Sequence, residues 1–188
     1  MTPWNSSWTN STLLAGKTEM TTQSDKTNNE KPNKYVSLSG EGTAFVHEFN
    51  EVRVKVSAEQ TGGLFEIFEE NCRPGFQSRT HYHSRNHQTF HIMEGEARFV
   101  LDGEACDVAA GGTVHIPPGV VHQISSEQGV RMLQIYTPGG IEAMFAEIDS
   151  LPKDKLKDPE VTKALLRKHD TVMVKEQAGG GAKGTVLG

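Results

Sequence analysis

Residues 75–95, GFQSRTHYHSRNHQTFHIMEG, decide the fold and the site of this 188-residue chain. His81 and His83 are separated by one residue, and on a β-strand such a pair points to the same face because side chains alternate. A third imidazole, His122, follows the turn sequence at 117–119. Imidazole nitrogens suit Zn, Fe, Ni or Cu, and an added oxygen donor also admits Mn. These residues therefore predict a metal site built on β-strands.

The spacing within this stretch resembles the first sequence motif of the cupin family. Gly75 is followed by five residues and His81-Tyr82-His83, then by four residues and Gln88, then by six residues and Gly95. The family motif has Glu where this chain has Gln88. A Gln side chain offers a neutral carbonyl oxygen, which is a weaker ligand than a carboxylate and has no basicity at accessible pH.

A second pattern resembles the second cupin motif. Gly111 is followed by five residues, by Pro117-Pro118-Gly119 and, after two more residues, by His122. Ser126 stands where the family usually has Asn. The two motifs imply an all-β fold, namely a single cupin barrel (double-stranded β-helix or jelly roll), here with C-terminal α-helices.

The resemblance also implies the ligands and the cofactor. We expect one divalent transition metal per chain, among Fe, Ni, Mn, Cu and Zn, held by His81, His83, His122 and Gln88. His87 competes with Gln88, since the family tolerates a spacing that is one residue shorter. The distance to Gly95 favours Gln88. If His87 pointed inward instead, it would be the catalytic general acid or base that Gln88 cannot be.

Further segments resemble the small single-domain quercetinase-like cupins. They are Thr61-Gly62-Gly63, Arg73-Pro74-Gly75, YTPGGIE at 136–142 and LLRKHD at 165–170, and the likeness covers roughly residues 34–174. Metal-dependent members of that group are typically dioxygenases of flavonols and related enols. The resemblance implies a metal-dependent oxygenase for a phenolic or enolisable small molecule of secondary metabolism. The alternatives are a non-oxidative isomerase, cyclase or decarboxylase with a Lewis-acid metal, and a non-catalytic ligand-binding cupin.

The substrate would lie in the mouth of the barrel, against apolar walls. Strand parity relative to the ligands nominates Phe65, Phe90, Ile92 and Ile124, and Tyr136 is a further candidate, although core packing is the competing explanation for each. Tyr136 shares one face of the last long strand with Met132 and Gln134, and the pattern leaves open which face points inward. Arg79 alternates with His81, so its guanidinium could hold a carboxylate or phenolate by a bidentate pair.

Short apolar or alternating runs separated by turns fill the middle of the chain. The predicted strands are 44–49, 52–56, 64–69, 78–83, 89–93, 97–101, 113–116, 120–125 and 131–136. Turns are predicted at Glu94-Gly95 and Asp102-Gly103, and the latter has the best hairpin signal. Helical periodicity predicts a helix over 141–151, and Asp158-Pro159-Glu160 predicts the start of a second helix.

These patterns divide the chain into four parts. We expect a mobile polar arm at 1–33, the cupin barrel at 34–140, helices at 141–174 and a flexible tail at 175–188. Trp4 and Trp8 could dock on the barrel or on a second subunit, or they could be incidental.

Composition excludes several classes of function. The net charge is −5 without a basic block, so nucleic acid is not an expected partner. No apolar run approaches the ~20 residues that span a bilayer, and the N-terminus lacks the pattern of a secretory signal. Only Cys72 and Cys106 are present. We expect a cytoplasmic protein with a small-molecule substrate, and a homodimer that covers open strand edges.

Overall fold

The computed structural model describes residues 34–174, which form a β-sheet domain with two short helices near its end. The strands are β1 (Ala44–Val46), β2 (Asn50–Val56), β3 (Glu66–Cys72), β4 (Phe76–Gln77), β5 (His81–His83), β6 (His87–Leu101), β7 (Glu104–Ala109), β8 (Thr113–Ile116), β9 (His122–Ser126), β10 (Val130–Thr137) and β11 (Thr171–Met173). The helices are α1 (Glu142–Ser150) and α2 (Pro159–Lys168), with 3-10 turns at Glu59–Thr61 and Lys155–Lys157. The predicted arm with Trp4 and Trp8, and the predicted tail, lie outside the described residues.

The strands form one curled sheet in which all the pairs are antiparallel. Their order is β1-β2-β3-β10-β6-β9-β5-β11, with β4 beside β9, and with β7 and β8 beside β6. The 15-residue strand β6 belongs to both halves of the sheet. Its first half pairs with β8 and β10, and its second half pairs with β7 and β9. The all-β fold with C-terminal helices that the sequence predicted is confirmed.

Strand β6 passes through Glu94-Gly95, where the sequence predicted a turn. The register with β10 shifts between Arg131 and Met132, and this shift leaves Met93 without a partner. Gly95 has φ 79°, and a Cβ there would lie 2.5 Å from the carbonyl oxygen of Gly129. The β-bulge therefore lies at Met93, and Gly95, which pairs with Val130, lets the strand pass close to Gly129 and continue. The predicted turn is wrong.

The hairpin at Asp102-Gly103 is confirmed. Leu101 pairs with Glu104 across it, and both turn residues have positive φ, as a type I′ turn requires. The strand that follows, β7, was not predicted, because the alternation of EACDVA is weak and none of its side chains is fully buried.

Both predicted helices are present, and each has a defined N-terminus. The buried carboxylate of Glu66 accepts hydrogen bonds from the backbone N–H groups of Ile141 (2.5 Å) and Glu142 (3.3 Å) where α1 begins. At α2 the Asp158 side chain accepts from the N–H of Glu160 at 2.9 Å, with Pro159 in the first position. Neither helix is long and apolar enough to cross a bilayer, nor is any other helix within residues 34–174.

Two apolar clusters form the core. One lies among β4, β6, β8, β9 and β10 and includes Phe76, Phe90, Ile92, Phe99 and Ile124. The other packs α1 and α2 against β1, β2, β3 and β10 and includes Phe45, Phe68, Tyr136, Ile141 and Leu165. Members of both clusters line one cavity, described below with the site.

Candidate metal centre

Three histidines meet on the inner face of the sheet. His81 and His83 lie on β5, and His122 begins β9 directly opposite His81 in the ladder. One nitrogen of each ring lies within 4.8 Å of the others. The ring centroids of His81 and His122 are 4.2 Å apart, and His83 lies 5.1 and 5.5 Å from the two. The sheet therefore brings together the three histidines that the motifs nominated.

Backbone carbonyls fix the tautomer of each ring. The Nδ1 atoms of the three rings bond to the carbonyl oxygens as follows: His81 to Arg79 at 2.7 Å, His83 to Asp170 at 2.9 Å and His122 to Val120 at 3.0 Å. A carbonyl oxygen only accepts, so each Nδ1 carries the proton and each Nε2 keeps its lone pair. The Nε2 atoms of His83 and His122 are buried and have no hydrogen-bond partner among the residues that the structure describes.

Burial keeps these rings neutral at physiological pH. Burial, with the neighbouring His122 as the second cause, lowers the pKa of His81 to about 3. Burial likewise lowers the pKa of His122 to about 4, and it lowers the pKa of His83 although the carbonyl of Asp170 opposes the shift. Neutral imidazole is the form that binds a metal.

Gln88 completes the set. Its side chain is buried on β6, where the amide nitrogen donates to Oε1 of Gln134 at 3.0 Å and to the hydroxyl of Tyr136 at 2.5 Å. Its Oε1 is buried without a partner. Gln88 lies close enough to His83 to favour the protonated form of that ring. Two buried acceptors therefore lie side by side, and a cation between them would satisfy both. The donor set of three imidazoles and one amide oxygen fits a divalent transition metal.

Glu70 and Asn50 continue this polar network away from the histidines. The amide nitrogen of Gln134 donates to Glu70 Oε2, and Asn50 Nδ2 donates to Glu70 Oε1 at 2.5 Å. The Tyr136 hydroxyl donates to Gln134 Oε1 at 2.9 Å. Burial raises the pKa of Glu70 to about 7, although the hydrogen bonds that it receives oppose the shift. Glu70 is a carboxyl group able to change charge near neutral pH.

A cavity of about 520 Å³ lies against His81, His83 and Gln88. Its walls combine apolar side chains of the sheet with others from the two helices and the segments that flank α2. The residues on the sheet side include Phe76, Phe90, Ile124 and Tyr136, and those on the helix side include Met144, Phe145, Ile148, Leu156, Leu166 and Met173. The volume fits a small organic molecule.

The chain after α2 supports the His83 side of the site. Strand β11 pairs with β5, so that Thr171 lies opposite His83 in the ladder. The Asp170 carboxylate accepts from the backbone N–H groups of Ser84, Arg85 and Asn86, at 3.1, 2.9 and 3.0 Å. Burial alone would raise the pKa of Asp170, but the hydrogen bond from the Ser84 hydroxyl, together with these backbone bonds, outweighs it and lowers the pKa. One residue therefore holds both the His83 ring and the loop that follows it.

His87 does not reach the site. It alternates with Gln88 on β6 and is exposed, and its ring stacks on that of His115 at 5.4 Å between centroids. Its placement on the outer face corrects the expectation that it could act as the acid or base, because period-2 alternation sends only one of two adjacent residues inward.

The expected substrate-binding residues divide into three groups. Phe90, Ile124 and Tyr136 line the cavity, and Arg79 lies at its edge with an exposed side chain. Ile92 is completely buried in the core and does not line the cavity. Phe65, before β3, is 37% exposed and does not line the cavity. The inward residues of this strand begin with Glu66, so the inward face that we predicted from Phe65 is wrong.

The sequence did not identify Glu70, Asn50 or Asp170 as part of this region. The inner face of β3 carries Glu66 and Glu70, and two acidic residues resemble a solvent-facing pattern. The pairing of β3 with β2 is what shows that these residues point inward, because Glu70 lies opposite the buried Val52. That pairing follows from the folded sheet rather than from the local pattern.

Comparisons with known proteins agree with this geometry. A family model described as the cupin domain matches residues 68–136. Quercetin 2,3-dioxygenase of Bacillus subtilis is 27% identical over 112 residues, which cover 59% of this chain and 33% of that enzyme. The chain thus spans a third of the length of this curated relative.

Two solved structures show the same fold. KdgF from a Halomonas species has a TM-score of 0.53 and 14% identity, over 59% of this chain and 99% of that chain. An RmlC-like cupin from Shewanella frigidimarina has a TM-score of 0.52 and 17% identity, over 59% and 96%. The strand arrangement of residues 34–174 is therefore the cupin fold, and residues 68–136 match the cupin domain, as the sequence motifs predicted. The curated relative named above is a quercetin dioxygenase, which agrees with the quercetinase-like resemblance of the sequence.

Proposed function

We propose that the chain is a metal-dependent cupin enzyme, and that it acts as an oxygenase of the dioxygenase type on a phenolic or enolisable small molecule. The proposed metal rests on three buried acceptor atoms that have no hydrogen-bond partner within residues 34–174, namely His83 Nε2, His122 Nε2 and Gln88 Oε1. The likeness to the B. subtilis quercetin 2,3-dioxygenase supports the oxygenase class.

A metal held by His81, His83, His122 and Gln88 would supply Lewis acidity to a bound oxygen atom and, where it is redox-active, electrons for O2 chemistry. The side chains around it have separate tasks. The apolar walls exclude water and hold the flat body of the substrate. The Gln88 amide has no basicity, so the proton of an enol must leave before binding or pass to another group in the cavity.

A second candidate is a non-oxidative isomerase, cyclase or decarboxylase. The observation that favours it is the carboxyl group of Glu70, which lines the same cavity and has a pKa near 7. A group of this kind can accept or return a proton at neutral pH. Such an enzyme would need the metal only as a Lewis acid, and its product would gain no oxygen atoms.

Metal analysis is the first test. The full chain, purified without chelator, should hold about one Fe, Ni, Mn, Cu or Zn, and His122→Ala should lose it. His115→Ala is the matched control, because His115 is an exposed imidazole on the outer face of β8. A wild-type protein that holds no metal, and takes up none when each ion is offered, would contradict the metal-dependent function and favour a non-catalytic ligand-binding cupin.

Product mass under ¹⁸O2 separates the two enzymatic candidates. The loaded protein is offered flavonols and other enolisable phenols in air and under nitrogen. An oxygenase should add ¹⁸O and stop under nitrogen, whereas a non-oxidative enzyme should turn over equally in both atmospheres. Equal turnover would exclude the oxygenase.

The proposal also includes a setting. A metabolite of secondary metabolism as substrate, a cytoplasmic location and a homodimer are the expectations that accompany it. Light scattering of the full chain tests the dimer directly, and a mass of one chain would contradict it.

A further inference from the structure

We propose that Glu70 is a positioning residue of the metal centre. Its carboxylate fixes the orientation of the Gln134 amide and, through it, that of the Gln88 amide, so that Gln88 turns its oxygen toward the histidines. This inference rests on the proposed metal site. Glu70 lies outside both cupin motifs, and it contacts neither the histidines nor Gln88 directly.

The first step is the contact between Glu70 and Gln134. An ionised carboxylate is only an acceptor, whereas a Gln amide has one donor end and one acceptor end. Glu70 Oε2 accepts from the Gln134 amide nitrogen, and Glu70 Oε1 is taken by Asn50. Gln134 must therefore turn its oxygen away from Glu70, because the reverse orientation would place two acceptors against each other.

The second step passes this orientation to Gln88. The Gln134 oxygen accepts from Gln88 Nε2 at 3.0 Å and from the Tyr136 hydroxyl at 2.9 Å. Gln88 consequently has its nitrogen on the Gln134 side, where it also meets the Tyr136 oxygen. Its Oε1 is left on the opposite side, without a hydrogen-bond partner in the described part of the chain, and both Gln88 and His83 line the cavity.

Burial makes these orientations matter. Glu70, Gln88, Gln134 and Tyr136 are each at most 6% exposed, so water cannot replace a mismatched hydrogen bond. The titratable groups facing Glu70 are the thiol of Cys72 on the same strand and the Tyr136 hydroxyl on β10. Within residues 34–174 no Lys or Arg forms an ion pair with Glu70. The side chains that donate hydrogen bonds to its carboxylate are therefore Asn50, Gln134 and Cys72.

A neutral residue at position 70 would remove the directional constraint. While Asn50 donates to its oxygen, a glutamine at position 70 turns its NH2 group toward Gln134, which favours the reversed orientation of Gln134 and of Gln88. Gln88 then offers its NH2 group to the histidines, and an NH2 group cannot bind a cation. A carboxylate at position 88 presents an oxygen to the histidines in either orientation and can only accept from Gln134, so a neutral residue 70 should not weaken its ligation.

This contrast gives the experiment. Co²⁺ affinity and the Co²⁺ absorption spectrum are measured at pH 8, above the pKa of Glu70, for wild type, Glu70→Gln, Gln88→Glu and the double variant. We expect Glu70→Gln to weaken binding about 10-fold, as outer-shell partners do. In the Gln88→Glu background the same change should leave affinity unchanged or raise it, because Gln134 becomes free to donate to the carboxylate at position 88. Glu66→Gln is the matched control, because Glu66 is a buried carboxyl on the same face of β3 that bonds only to the backbone at α1.

The outcomes separate this inference from the proposed function. Equal weakening in both backgrounds would indicate general damage and overturn the positioning role, as would an unchanged affinity in Glu70→Gln. If wild type bound no Co²⁺ at all, the proposed metal site itself would fail. The ¹⁵N side-chain amide resonances of the metal-free protein would then still decide on Glu70. We expect one set for Gln88 and Gln134 in wild type and two sets, or exchange broadening, in Glu70→Gln. One sharp set in both proteins would overturn the inference.

Discussion

The two sides of the candidate metal centre are held by different kinds of contact. On the histidine side each ring is bonded to a main-chain carbonyl. On the amide side Gln88 is held by the side chains of Gln134 and Tyr136, and behind them by Glu70. A carbonyl accepts at every pH and cannot turn round without moving the backbone. An amide can turn about a single bond, and the charge of Glu70 can change. The histidine side is therefore permanent, whereas the amide side is conditional.

The largest expected effect compares one ligand from each side. His83→Ala should lower Co²⁺ affinity roughly 100-fold or more. The substitution removes a ligand itself, which should cost more than the 10–100-fold typical of the loss of an outer-shell partner. Gln88→Ala should cost about 10-fold, since a neutral carbonyl oxygen is a weak ligand. Titration followed by absorption measures both. Equal losses would mean that the amide is as strong a ligand as the imidazole, and the comparison would fail.

Asp170 tests whether the histidine side depends on the chain after α2. Asp170→Ala leaves the N–H groups of Ser84, Arg85 and Asn86 without their acceptor, so we expect a loss of about 3 kcal/mol in unfolding free energy. The loop beside His83 should loosen, and Co²⁺ affinity should fall about 10-fold. Urea unfolding and titration measure the two effects.

The control for that change is Asp170→Asn. Asp170 has φ 60°, a conformation that Asn tolerates better than most residues, and Asn keeps one acceptor oxygen. The Asn variant should lose less stability than the Ala variant. If the two variants were equally stable, the backbone bonds to the carboxylate would not be what holds the loop.

Glu70 makes the amide side depend on pH. The folded-state pKa of Glu70, about 7, lies above the ordinary value of 4.5, so between these pH values this carboxyl is protonated in the folded protein and ionised in the unfolded chain. Stability contributed by the neutral carboxyl is complete below pH 4.5 and is lost as the pH rises to 7, by roughly 3 kcal/mol.

Urea unfolding of metal-free wild type and Glu70→Gln from pH 4.5 to 8 isolates this contribution, because the buried histidines, whose lowered pKa makes stability rise with pH, are common to both proteins. Glu70→Gln stays neutral throughout, so its unfolding free energy relative to that of wild type should rise by roughly 3 kcal/mol over this range. Glu96→Gln, an exposed carboxyl on β6, should keep the wild-type profile. Parallel profiles for wild type and Glu70→Gln would show that Glu70 titrates normally.

The sequence predicted the histidine side because its signal is local. His81 and His83 share a face by alternation, and His122 has a fixed distance from the Pro-Gly turn. The distance to Gly95 favoured Gln88 over His87 as the inward residue, and Gln88 is the buried one of the two. These patterns span only a few residues, so the alternation of side chains along a strand is enough to predict which of them point inward.

The amide side could not be predicted in the same way. Gln134 and Tyr136 share a face, but which face points inward depends on pairing with β3 and β6. Glu70 can be buried because Asn50 and Gln134 donate hydrogen bonds to it from two neighbouring strands. The hydrophobic pattern of a sequence cannot predict that a charged residue of this kind points inward. Asp170 is remote in sequence from the His83 that it orients. Partners of this kind are set by the register of the whole sheet.

The smallest expected effect belongs to His87, which is adjacent to Gln88 but lies on the outer face beside His115. His87→Ala should change Co²⁺ affinity less than about twofold and stability by about 0.5 kcal/mol or less, as exposed substitutions do. The pH profile of turnover should also stay unchanged, because a ring outside the barrel cannot exchange protons with a substrate in the cavity. A lost acidic or basic limb of that profile would return His87 to the site. It would also mean that β6 shifts its register in solution, so that Gln88 and His87 exchange faces.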